Sequence, residues 1–417
     1  MKIWFYNAQI LQNGEIIKGD VLINNDKIFY VGKNPPEFNA DRKINVKGNL
    51  LMSGFVNAHA HTPSTILRGF ADDLPLHNWL EKIIPLERKL TPDDIYWTTM
   101  LGVMEYAQAG ITAIEENYAH YKPIMSAYKN AGLRARISFG YPNVNQKKVE
   151  NLDEQFSDIT KNGFKAVCFA HSIYGTHQNN FDDLISFSRQ KNLPVSTHLS
   201  ETLKEVGDCT VKHNKSPVEY LEYLGFLDRE CTVYHCVHSD KDDLKILADY
   251  NVNVVSCPSS NLKLASGIAP IYAMQNAGLN IALGTDGAYS NNSYDMFKEM
   301  FLTATLNKAL LYNAEILKAE EVVNMATKNG AKALGFENLG EIKAGYLADL
   351  IILDINKPHH APHHNLISNL VYSAKSSDVY LTMINGKIIY EKGKFDIYEK
   401  PKDIFAHCQR IKKRILS

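Results

Sequence analysis

His59 and His61 stand two residues apart at the end of an apolar run, GFVNAHAH. Residues two apart on a strand share a face, so both imidazoles can aim at one point. With 15 histidines in the chain, such a pair means little alone, and its weight depends on what other strand ends offer. PVSTHLSE brings His198 with Glu201 three residues on, CTVYHCVHS brings His235 and His238, and NIALGTDGAYSNN brings Asp286. His198 and Asp286 would complete a metal site of three imidazoles and one carboxylate. That set suits Zn2+ with a further position open for water, while iron and manganese stay open as alternatives. At Asp286 a turn-capping role competes, because the neighbouring Gly and Asn residues let the backbone turn sharply.

Glu201 falls just past its strand end, where a carboxyl could reach over a water at the metal without binding the ion. Its expected task is proton shuttling, against the alternative of a solvated loop glutamate. His235 could hydrogen-bond the same water, with a purely structural hydrogen bond as the competing role. His238 reads as structural.

The elements that must hold these residues follow from hydrophobic pattern. From residue 52 onward, apolar runs alternate with helix-length amphipathic segments, two of them near 92–109 and 120–131. The strand candidates are VNAHAH, ITAIEEN, ARISFGY, FKAVCFAHS, PVSTHLSE, CTVYHCVHS, VNVVSCPSSN and NIALGTDGAYSNN. Continuous apolar runs indicate strands buried on both faces, as parallel strands inside a ring of helices must be. The expected fold is therefore α/β, a (β/α)8 TIM barrel. A doubly wound sheet is the alternative, but it leaves the flanking hairpins without a partner. Barrel chemistry sits at the C-terminal strand ends, and there the polar residues gather: His59 and His61, Glu115 and Glu116, His171, His198 and Glu201, His235 and His238, and Asp286.

Residues 1–51 and 346–417 share a hairpin texture with Asn-Gly and Asn-Asp turns, and are expected to pair into one small β-sandwich domain beside a catalytic barrel of residues 52–345. KPHHAPHH, residues 357–364, is expected to be a surface loop rather than a metal site, since two prolines accompany the histidines and no acidic or thiol partner stands near.

Composition limits the partners. Lys plus Arg number 45 against 46 Asp plus Glu, and the one basic run, RIKKR, reads as a solvated helix face. Nothing supports a nucleic-acid or membrane partner. The N-terminus turns polar too soon for a secretory segment and no run is long enough to span a bilayer, so a cytoplasmic location is expected. The six cysteines form no C-x-x-C pair and read as reduced core thiols.

HAHT after an apolar strand, LRGFADDLPLHNWL, HLSET, HCVH, PSSNLKLASGIAP and LGTDGAYSNN together resemble the amidohydrolase superfamily, and within it the S-adenosylhomocysteine/5′-methylthioadenosine deaminase group. The resemblance covers nearly the whole chain. It implies a hydrolytic deaminase of adenosine derivatives (5′-methylthioadenosine, S-adenosylhomocysteine, adenosine or 5′-deoxyadenosine) with one metal ion, Zn2+ or else Fe2+ or Mn2+, held by His59, His61, His198 and Asp286. Binuclear relatives carry a carboxylated lysine at the end of strand 4, where this chain has His171. The resemblance further implies that His171 contacts the purine, that Glu87 grips the ribose hydroxyls, and that Trp79 packs on the ligand or a loop, with core packing as the alternative for Trp79. Glu201, His235 and Asp286 would be catalytic. Family habit implies a homo-oligomer, while no interface is legible.

Two departures from the family pattern stand out. Phe139 occupies the region after strand 3 where an arginine for the homocysteine carboxylate is expected, with Lys147 or Lys148 as substitutes. EENY replaces the usual end of strand 2, so Glu116 or Asn117 is expected to make a different contact. The competing readings are a deaminase of another heterocycle (guanine, a pterin or a triazine) and a cyclic amide hydrolase.

Overall fold

The computed structural model describes residues 1–144, 146 and 151–417. Its central sheet is built from β1 (Phe55–His61), β2 (Ile111–Glu116), β3 (Arg134–Tyr141), β4 (Lys165–Ser172), β5 (Val195–Leu199), β6 (Cys231–His235), β7 (Asn253–Ser256) and β8 (Asn280–Leu283). Each strand pairs in parallel with the next in sequence. The ring is completed by Asp286–Gly287, which follows β8 and pairs in parallel with β1, setting Asp286 opposite Ala60. Every residue of β1, β2, β5 and β6 is buried, the signature that continuous apolar runs imply.

Helices pack round the ring and are bounded by local chemistry. Pro92–Ala109 starts on a capping box in which Thr91 and Asp94 satisfy each other's backbone N–H groups, and it stops at Gly110 with φ 78°. Inside the barrel, Phe169, Tyr234, Val255 and Ala282 from four strands meet in a separate buried cluster, so the barrel is a packed core with its chemistry confined to one end.

Both chain ends meet in one nine-stranded mixed sheet. Lys2–Gln12 and Glu15–Asn24 form its first hairpin across Asn13-Gly14, both with positive φ as a tight two-residue turn requires. Leu50–Ser53, the strand that leads into the barrel, pairs antiparallel with Leu350–Leu353, the strand that leaves it. The C-terminal helix Pro401–Leu416 lies against the barrel rather than on this sheet: His407 stacks on Trp97 with ring centroids 3.7 Å apart, and Arg414 donates to the Lys89 carbonyl at 3.1 Å. All six cysteines are buried and unpaired with one another.

The histidine-rich segment is exposed at Pro358 and over 361–364, as a surface loop would be, but its first turn folds inward. Pro358–His360 forms a short turn that buries His360, and the Nε2 atoms of His359 and His360 lie 2.9 and 3.0 Å from Asp378 Oδ2. Lys357 Nζ lies 2.8 Å from Asp378 Oδ1. Asp378 is the acidic partner that local sequence did not offer. Its charge is already balanced by Lys357, so the cluster acts as a clamp on the terminal unit.

Candidate active site

β1 sends His59 and His61 to the mouth of the barrel, and β5 sends His198 toward them across it. The three imidazoles can each present one nitrogen within 4.8 Å of the others, and His59 Nε2 lies 3.2 Å from His198 Nε2. Their Nδ1 atoms are all turned outward onto acceptors. His59 Nδ1 meets Asn117 Oδ1 at 3.0 Å, His61 Nδ1 meets the Asn117 carbonyl, and His198 Nδ1 meets the His171 carbonyl at 2.6 Å. An Nδ1–H given to an acceptor leaves Nε2 as a bare lone pair. The short His59–His198 contact therefore joins two acceptors, an arrangement that a cation between them relieves and a hydrogen bond does not. This is the ligand geometry of a metal centre, with outer partners fixing each tautomer.

Asp286 adds the carboxylate. It sits at φ 58° just past β8, and Gly284 supports the turn because a side chain there would run into His59. Asp286 Oδ2 accepts from Ser260 Oγ at 2.6 Å and Ser290 Oγ at 2.8 Å, which turns Oδ1 toward His59 and His61 at 3.4 and 3.2 Å. Burial pulls His59 down to about 4, against the pull of Asp286. Burial and the surrounding imidazoles likewise hold His198 well below its ordinary value. Both rings are neutral at pH 7, as metal ligands must be. At His61 burial pulls the same way, but Asp286 outweighs it and raises the ring above its ordinary value. Asp286 thus demands a positive charge here, which a divalent ion would supply.

Beside the imidazoles stand two further titratable groups. His235 ends β6 with φ 73° and sets its Nδ1 2.8 Å from Asn261 Oδ1, leaving Nε2 3.9 Å from Glu201 Oε2. Burial, with Asp286 close by, raises Glu201 above the ordinary carboxyl range despite His235. A carboxyl whose affinity for protons is raised in this way is suited to taking up a proton and giving it back. Glu205, four residues on, accepts the backbone N–H groups of Ser200 and Glu201 at 3.1 and 2.9 Å and so fixes this turn.

A model of the amidohydrolase family matches residues 50–389. The chain belongs to the amidohydrolase family. Among its relatives, the 5-methylthioadenosine/S-adenosylhomocysteine deaminase of Dictyoglomus turgidum is 39% identical, the match covering 99% of this chain and 100% of that one. That of Acetivibrio thermocellus is 40% identical, with 91% and 90% covered. A zinc-bound adenosine deaminase from Xanthomonas campestris superposes with a TM-score of 0.93 at 31% identity, covering 99% of this chain and 98% of that one.

Around the amidohydrolase centre opens a cavity of about 310 Å3, lined by His61, Glu87, Asn117, Tyr118, His171 and Tyr289 among others. Glu87 and His171 thus face the space that the resemblance assigned to substrate. Glu87 accepts a hydrogen bond from the Tyr118 hydroxyl at 2.7 Å. Trp79 is buried and stacks on Tyr289 with centroids 4.6 Å apart, so it supports a wall of the cavity rather than forming one. Phe139 does not bear on the cavity: its ring packs against Phe156 and Phe187 between β3 and the helices. Lys147 and Lys148 lie outside the described residues.

The end of β2 makes contacts that sequence only flagged as different. Asn117 serves two imidazoles at once. Glu116 accepts the Thr62 backbone N–H at 3.0 Å and a hydrogen bond from Tyr128, holding the chain as it leaves His61. Glu115 is no rim residue, because it pairs with Arg136 inside the barrel. His238 is structural, with Nε2 2.6 Å from the Ser266 carbonyl. No helix among the described residues is long and apolar enough to cross a membrane.

Proposed function

We propose that this amidohydrolase removes the exocyclic amino group of an adenine nucleoside by hydrolysis, giving the inosine analogue and ammonia. 5′-Methylthioadenosine, S-adenosylhomocysteine, adenosine and 5′-deoxyadenosine are the candidate substrates, the first two being those for which the relatives are named. The observation that carries the reading is the joint one: three imidazoles with their free nitrogens converging, Glu201 close to His235 beside them, and Glu87 lining the cavity that reaches His61.

His59, His61, His198 and Asp286 would hold one Zn2+ per chain. When bound, zinc lowers the pKa of a coordinated water toward ~7 and so makes hydroxide available at neutral pH. His235 and Asp286 align the attacking water and accept its proton. Glu201 delivers a proton to the ring nitrogen beside the amino-bearing carbon, so that the carbon becomes electrophilic as the oxygen bonds to it. Glu201 then takes the remaining hydroxyl proton of the adduct and passes it to the amine, so the carbon–nitrogen bond breaks, ammonia leaves and the ring carbonyl forms, and the proton held by His235 and Asp286 returns to Glu201 for the next turnover. The roles of a metal-site water and a non-ligand glutamate are divided in the same way in zinc deaminases of another fold.

His171 contacts the purine, and Glu87 accepts the ribose hydroxyls as a carboxylate. Burial raises the Glu87 pKa, against the Tyr118 hydrogen bond and the nearby His61, and two ribose hydroxyl donors would favour its ionised form. A ribose-gripping carboxylate has no task on a free base, which favours nucleosides over guanine or triazines. Turnover in isotopically heavy water tests the reaction class: one heavy oxygen is expected in the nucleoside product with stoichiometric ammonia. Ammonia without oxygen incorporation, or cleavage to a free base, would contradict it.

A further inference from the structure

An ion pair stands inside the barrel, where apolar side chains would fill the space as well. Arg136 of β3 and Glu115 of β2 are 1% and 0% exposed. Arg136 Nε donates to Glu115 Oε2 at 2.9 Å, and Nη2 reaches the same oxygen and Thr232 Oγ1. Replacing such a buried pair by apolar residues is often neutral or stabilising, so stability alone gives a poor account of it.

The other carboxylate oxygen leads to the metal centre. Tyr234 of β6, fully buried, donates its hydroxyl proton to Glu115 Oε1, and its ring stacks on His59 with centroids 4.0 Å apart. The same hydroxyl accepts from Asn117 Nδ2 at 3.2 Å, with Glu115 Oε1 3.5 Å from that nitrogen. Asn117 Oδ1 is thereby turned to His59 Nδ1, at 3.0 Å.

Each link in this chain has one direction. A guanidinium only donates, so Glu115 faces it as an acceptor. A phenol carries one proton, and once that proton goes to Glu115 its oxygen offers Asn117 nothing but lone pairs. The amide must then bring its NH2 to Tyr234 and its oxygen to His59. Only His59 depends on this. Nδ1 of His61 and of His198 meets a backbone carbonyl, of Asn117 and of His171, which cannot turn round. A side-chain amide can. Were Asn117 reversed, its NH2 would make His59 Nδ1 an acceptor and shift the ring proton to Nε2, the atom that must be bare to hold a cation.

We propose that Tyr234, backed by Glu115 and Arg136, is a positioning residue for the metal: it fixes the Asn117 amide and, through it, the His59 tautomer. This rests on the reading of His59, His61, His198 and Asp286 as metal ligands.

The test is zinc affinity, read by competition with a chromophoric chelator on the full chain, in Tyr234→Phe, Asn117→Ala and the double variant. Tyr234→Phe keeps the ring beside His59 and removes only the hydroxyl. Affinity is expected to fall about tenfold, the lower end of the ~10–100-fold that an outer partner of a ligand is worth. In the Asn117→Ala background the same change should alter affinity by no more than about twofold, because the amide it orients is gone. Glu115→Gln is a second variant. With its oxygen held by Arg136, the glutamine NH2 would donate to the phenol and reverse the chain without touching the metal end, so affinity should fall there too. Unchanged affinity in Tyr234→Phe or in Glu115→Gln, or equal losses from Tyr234→Phe with and without the Asn117 side chain, overturns the proposal. An unmodified protein that binds no zinc overturns the ligand reading beneath it, whereas tight zinc binding that Tyr234→Phe leaves unmoved overturns only the role of Tyr234.

Discussion

Glu201 carries the sharpest claim at the scale of a single residue. It is not among the three imidazoles that converge, and its Oε2 lies 3.9 Å from His235 Nε2. Glu201→Gln is isosteric and keeps the hydrogen bonds from its backbone N–H to Glu205. Zinc content should therefore stay at one per chain while kcat falls by ~10²–10⁴, the usual worth of general acid–base catalysis. Elemental analysis and steady-state rates on the same sample check both halves, and full turnover would remove Glu201 from the mechanism. The residue was legible because its sequence distance from His198 places it just past a strand end. Glu205 was not, since a glutamate four positions further reads as any helix-start acid until the turn between them is seen.

Elements position what residues do. β2 contributes no ligand, yet the residue after it, Asn117, receives Nδ1 of both His59 and His61. Asn117→Ala would leave the His59 ring free to flip or change tautomer, and zinc affinity is expected to drop ~10–100-fold, measured by competition with a chromophoric chelator. Unchanged affinity would mean that the strand alone aims the ligands. Sequence foretold a different contact at the end of β2 but not which one, because the register between β1 and β2, with Ala60 beside Glu116, is a property of the sheet. The same limit applies at Phe139, which the resemblance set at the position of a carboxylate-binding arginine, whereas strand alternation turns its ring onto Phe156 and Phe187.

The clamp on the terminal unit has a pH signature of its own. Burial alone would raise Asp378, but hydrogen bonds from Lys357, His359, the Lys375 backbone and His360 outweigh it and bring its carboxyl to about 2, below an ordinary 3.8. A carboxyl depressed on folding stabilises the fold above its unfolded pKa and loses that contribution as pH falls through the folded value. The contribution is ~2 kcal/mol, present at pH 4 and above and lost toward pH 2. Asp378→Asn should therefore be less stable than the unmodified protein at neutral pH in urea melts, with the gap closing below pH 4. A gap that is constant with pH would sever the clamp from the charge of Asp378.

At the scale of the molecule, much could be read in advance, and for one reason. Strands buried on both faces leave a strong apolar signal, and a barrel sends their C-terminal ends to one rim, so scattered polar residues in sequence become neighbours. His59, His61 and His198 were found by that rule. Partners set by distant parts of the chain stayed hidden, among them Tyr289 on Trp79, Asp378 under the histidine-rich turn, and the C-terminal helix against Trp97.

The central claim, that this barrel deaminates adenine nucleosides, meets its most direct test in ammonia release by the zinc-loaded protein. Adenosine, 5′-deoxyadenosine, 5′-methylthioadenosine, S-adenosylhomocysteine, adenine and guanine would be offered at one equal low concentration. Ammonia from the 5′-substituted nucleosides, with adenine and guanine inert, is the expected result. Activity confined to the free bases, or none on any of the six, would contradict it.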